Sequence, residues 1–228
     1  LNALFAGTLV TNTSATDLAA LLCSRLCHDL LSPVGAFANG LELLATERDP
    51  AMRENCMALL EQSATISTNK LKFFRLAFGA AGGFGDRVPA EEARDLIVAL
   101  AADKGRIETE WAVADPTLAK PVVKLLLNFA QIAADALVRG GTLAVGAERR
   151  AGNCEIVVRA SGPKIAFDPI LGAALDGTLG PGELSSRTAA AHMIHLLARE
   201  HGGGLQHMAS GDALVLGAVL PEGEGLIG

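Results

Sequence analysis

The stretch SRLCHDLLSPVGAFANGLELL, residues 24–44, decides how this chain is read. Apolar residues return every three or four positions, as on one face of a helix. Within the run, His28 and Asp29 stand side by side, followed one turn later by Ser32 and Pro33. With His28 set at zero and a helical turn of about 100° per residue, Ala19 and Phe37 fall near ~180°, Cys23 and Leu41 near ~220°, Leu26 and Leu44 near ~160°, and Leu30 near ~200°. The apolar stripe therefore lies opposite His28. The residues sharing its face are Leu21, Ser24, Arg25, Ser32, Gly35 and Asn39, most of them small or polar. A core histidine belongs in the stripe, and this one is outside it.

The neighbours of His28 suit a nucleophile. Asp29 can hydrogen-bond the ring and set its tautomer. Ser32 is one turn on and can face the same spot, and Arg25, three residues back, can pair with a phosphoryl oxygen. Pro33 removes a backbone donor and can bend the helix. Gly35 and Ala36 leave room for a second protein. An imidazole so placed can attack phosphorus in line, which needs an exposed ring and space for a bulky donor. A zinc reading would need Cys23, Cys27 and His28 to converge, and on a helix they do not. The four cysteines (23, 27, 56 and 154) are read instead as buried thiols of a reducing compartment.

Working outward, residues 15–46 form one long helix, with capping oxygens from Ser14, Thr16 and Asp17 near its start. TERDP (46–50) is a turn, and residues 50–78 form a second helix opened by Pro50. The glycine-rich GAAGGFGD (79–86) ends it. Two long helices and a short turn make an antiparallel hairpin. From Val88 the pattern changes. Helices are expected at 89–105, 115–141, 167–177 and 185–204, and strands at 106–113, 142–149, 154–161, 205–210 and 213–220, including two hairpins. The fold class is α+β: a helical hairpin (1–80), then an α/β sandwich (87–222) of about five strands with helices on one face.

Half of the 228 residues are hydrophobic, enough for a sizeable core, and the formal net charge is −6. No basic run suggests nucleic acid, and no apolar run suggests a membrane span. The opening LNALFAGTLV lacks the basic flank of a signal peptide. The expected location is cytoplasmic. Lys70 and Phe74, in NKLKFFRLAF, and Ser24, Leu31, Gly35 and Asn39 near His28 are candidates for contact with a protein partner.

His28-Asp29-Leu30-Leu31-Ser32-Pro33 resembles the phosphoacceptor box of two-component histidine kinases. The wider stretch is similar to the ChpT-like bacterial histidine phosphotransferases. That resemblance runs from about Asp17 to Pro221. It implies a homodimer whose hairpins form a four-helix bundle, with His28 as phosphoacceptor and Asp29 as its acidic neighbour. It also implies a degenerate domain shaped like a kinase ATPase domain. Phosphoryl groups would come from the receiver domain of a hybrid kinase and go to a response regulator, with magnesium in the receiver and no cofactor here. Burial of the apolar stripe argues for the dimer separately, because one hairpin cannot cover it alone.

The kinase boxes are altered in this sequence. Asn128 is kept, but Ile132 stands where a second, magnesium-binding Asn belongs. Ala160 replaces the adenine-selecting Asp, and Lys164 replaces a glycine of the same turn. Thr188-Ala189-Ala190-Ala191 replaces the phosphate-cradling glycines. The expectation is a fold kept and a nucleotide site lost, leaving a docking surface for receivers. Two other readings remain: an ATP-dependent kinase core, and a dimeric scaffold that never carries phosphate.

Overall fold

The computed structural model describes residues 14–79 and 85–221. The opening segment and most of the glycine-rich linker lie outside the described residues.

Helix α1 spans Ala15–Thr46 and α2 spans Pro50–Phe78. Each begins on a side-chain cap: Ser14 accepts from the Asp17 amide, and Asp49 accepts from the Met52 amide. The turn is tied by Arg53, which donates to the carbonyls of Leu44 and Glu47 at 2.9 Å each. Gly40 faces Leu60 so closely that a Cβ there would sit 2.9 Å from the Leu60 side chain, so a small residue sets the spacing of the two helices. Pro33 is buried against this seam without breaking α1.

A short strand β1 (Arg87–Pro89) leads into α3 (Ala90–Lys104) and β2 (Ile107–Val113). Then come β3 (Thr117–Ala119), α4 (Lys120–Ala136), β4 (Gly141–Arg150) and β5 (Asn153–Ser161). Helices α5 (Pro169–Asp176) and α6 (Ala189–Glu200) and strands β6 (Gly204–Ala209) and β7 (Ala213–Pro221) complete the layer. The main sheet has the order β2-β4-β5-β7-β6. Only β2 and β4 pair in parallel, through the crossover that carries α4. The β4–β5 turn uses Ala151 (φ 49°) and Gly152 (φ 78°), the left-handed pair of a tight hairpin. Burial alternates along β5: Cys154, Ile156, Val158 and Ala160 face the helices, while Glu155, Val157 and Arg159 face outward. The helices thus cover one face of the sheet.

Helix α4 is the centre of the core. It buries twelve of its 17 residues, including Leu125, Leu126 and Phe129. Phe73, Phe74 and Ala77 at the end of α2 join the same cluster, which fixes the hairpin to the sandwich.

Three expectations need correction. The segment at 115–119 is not helical: Thr117–Ala119 pairs antiparallel with Arg87–Pro89, and α4 starts only at Lys120. Residues 185–188 form a turn, held by the Thr188 hydroxyl bonding the Glu183 carbonyl, so α6 begins at Ala189. Cys56 and Cys154 are buried, but Cys23 and Cys27 are exposed in this chain, because they sit on the flank of α1 that α2 does not reach.

Candidate phosphoacceptor site

The long, evenly capped α1 presents His28 away from α2, and its side chain is 87% exposed. Its Nδ1 lies 3.3 Å from Asp29 Oδ1. An ionised carboxylate only accepts, so the pair places the proton on Nδ1 and leaves the Nε2 lone pair facing solvent. That is the tautomer a nucleophilic imidazole needs.

Asp29 is held from two sides. Arg25 Nε lies 3.7 Å from Asp29 Oδ2, one helical turn back. Lys70, on α2, donates to the Asp29 carbonyl at 3.4 Å and pairs with Asp103 of α3 at 3.5 Å. Arg25 also reaches out of the hairpin: its second terminal nitrogen lies 3.8 Å from Asp135 Oδ2 of α4. The other Asp135 oxygen takes Lys104, and Gln131 donates to Oδ2 at 3.0 Å. A chain of alternating charge runs from the His28 face of α1 to the sandwich.

His28 opens onto a cleft of about 500 Å³. One wall is α1 with Arg25 and Asp29, and the other is built by Ile132, Asp168 and Arg187 of the sandwich. Arg187 pairs with Asp168 at 3.1 Å across the start of α5. Gly35 is open, with nothing within 4 Å of an added Cβ, and Leu31 is 71% exposed. Ser24, Ser32 and Asn39 are exposed as well. The structure therefore brings Arg25, His28 and Asp29 together, with Ser32, Ser24, Leu31, Gly35 and Asn39 on the accessible surface of the same helix.

Phe74 does not belong to that surface. It is buried, packed edge-to-face on Phe73 at 5.9 Å and stacked on Phe78 at 5.6 Å. Its position little more than one turn from the linker places it at the seam with α3 and α4, so it offers no docking surface. Lys70 is half-buried and engaged at that seam. Asp135, Asp168 and Arg187 each lie more than a hundred residues from His28, and no local spacing in the sequence signals them.

The altered boxes are filled by core. Asn128 is 2% exposed and donates to the Lys124 carbonyl at 2.8 Å. Ala160 is fully buried in β5, and Ala189, Ala190 and Ala191 are buried at the start of α6. Methyl groups offer no acceptor for adenine and no ligand for a metal.

An exposed His-Asp pair on a helical hairpin, backed by an α/β sandwich, is the layout that the resemblance to histidine phosphotransferases implies. The family model described as histidine phosphotransferase C-terminal domain matches residues 90–213. A curated relative, protein phosphotransferase ChpT of Brucella abortus (strain 2308), is 35% identical over 92% of this chain and 99% of its own length. A solved bacterial phosphotransferase is 34% identical with a TM-score of 0.78, covering 91% of this chain and 98% of that one. The chain belongs to the ChpT-like histidine phosphotransferases.

Proposed function

We propose that this protein relays phosphoryl groups between receiver domains through His28, without using ATP. The observation that carries this is the 87% exposed imidazole with Nδ1 on Asp29, at the mouth of the cleft between α1 and the sandwich. In the accepting step the Nε2 lone pair attacks the phosphorus of a receiver's aspartyl phosphate in line. The P–N bond forms as the P–O bond breaks, and the electron pair leaves on the receiver carboxylate. The Nδ1 proton stays against Asp29, which stabilises the charged ring. Donation to a second receiver is the same step reversed. Arg25 and Ser32 flank the transferred group, and magnesium is supplied by the receiver.

The active unit is a homodimer. Val34, Leu41, Met57 and Leu71 are each about half exposed. Helical phase puts them on one side of the α1–α2 seam, where a second hairpin would complete a four-helix bundle. Receivers dock on the opposite side, over Ser24, Leu31, Gly35 and Asn39, within reach of the sandwich. Radiolabelled Mg-ATP supplied to the protein alone tests the absence of kinase activity. No acid-labile label is expected; label on His28 would make the protein a kinase.

A further inference from the structure

Arg25 is held by charge but not by hydrogen bonds. Its side chain is only 18% exposed, and it lies 3.7 Å from Asp29 and 3.8 Å from Asp135. Neither distance is a hydrogen bond. Among the described residues it has no other partner. A mostly buried guanidinium with its N–H fork uncommitted, one turn from a nucleophile, is set to receive an anion. Asp135 itself is firmly placed, since Lys104 and Gln131 fix both its oxygens.

We infer that Asp135 is a positioning residue for phosphotransfer: it restrains Arg25 in the resting protein and competes with the phosphoryl group on His28 for the guanidinium. The inference rests on His28 being the phosphoacceptor. Loading His28 brings a dianion to the Arg25 side of α1. Arg25 then trades the long contact to a carboxylate for short hydrogen bonds to phosphoryl oxygens, which are stronger. Asp135, still neutralised by Lys104, loses little. The strength of the Asp135 hold therefore sets how readily His28 takes up phosphate and how long it keeps it. It also makes the sandwich a partner in the chemistry: α4 contributes through Arg25, without touching the reacting atoms.

Phosphoramidate, a small phosphodonor, separates this role from receiver docking. Its P–N bond breaks with ammonia leaving as a P–N bond to His28 forms. Asp135→Asn keeps the shape and removes the charge. We expect it to load His28 up to about fivefold faster than the parent, the size expected from redirecting one partly exposed ion pair. Asp135→Glu should restore the parent rate. In an Arg25→Met background the same Asp135→Asn change should have no effect on loading. An acceleration that survives without Arg25, or no acceleration at all, would overturn the inference while leaving the relay function standing. If neither phosphoramidate nor any phosphorylated receiver labels His28, the relay function fails and takes this inference with it. Unchanged far-ultraviolet dichroism and melting of each variant show that the rates compare folded proteins.

Discussion

The hairpin and the sandwich spend their apolar residues in different ways. Helix α4 of the sandwich buries twelve of 17 residues, whereas α1 buries two of 32. The sandwich closes its own core with one face of a sheet and the helices above it. The hairpin closes only the seam around Pro33, Gly40, Cys56 and Leu60, and leaves Leu41, Leu43, Met52, Met57 and Leu59 facing out. Two such surfaces in one chain have different uses. The first holds a shape, and the second is the surface on which we propose that a second copy and a receiver dock.

That contrast can be broken from the sandwich side first. Phe129 is fully buried, so Phe129→Ala should cost about 3–5 kcal/mol and appear as a large fall in the melting midpoint. If the loss is small, the core is not centred on α4. The hairpin should respond in the opposite manner. Leu41→Glu with Met57→Glu places charge on exposed positions, so the chain should stay folded while sedimentation shows monomer in place of dimer. A dimer that persists would put the interface elsewhere. Within the hairpin, Gly40→Leu must displace Leu60, and about 1–3 kcal/mol of stability should be lost. An unchanged midpoint would show that the seam yields easily.

The smallest effect is expected at His192, on α6. Burial pushes its pKa below the ordinary 6.5, and neighbouring His195 adds to this. Its Nδ1 has no hydrogen-bond partner among the described residues. The unfolded chain therefore takes up the proton more readily than the folded one. The contribution of neutral His192 is complete above that ordinary value and declines as the pH falls through it. His192→Gln should flatten the acid side of the stability profile slightly, as read by denaturant midpoints between pH 5 and 8. A steeper acid side would reverse the sign.

Local chemistry was legible in the sequence and distant pairing was not. The ends of α1 and α2 follow from Ser14, Asp49, Pro50 and Gly79, whose capping roles are set within a few residues. The β4–β5 hairpin follows from its glycine turn. The outward direction of His28 follows from helical phase alone. By contrast, β1 and β3 are three residues each and exist only because the chain brings them together across 30 positions. NKLKFFRLAF mixes charge with aromatics and fits either a core edge with a solvated face or a docking surface, and only the approach of α3 and α4 shows that Phe73 and Phe74 are covered. Cys23 shares the apolar stripe, yet a single partner helix covers only part of that stripe. Asp135 gives no signal until α4 is set against α1.

In the proposed relay His28 carries the phosphoryl group between receivers. The most direct test incubates the purified protein with a receiver domain labelled on its aspartate, and follows the label. Acid-labile, base-stable label is expected on His28, none in His28→Ala of unchanged fold, and onward transfer when a second, unlabelled receiver is added. Label that stays on the donor receiver, or that reaches the second receiver equally well with His28→Ala, would contradict it.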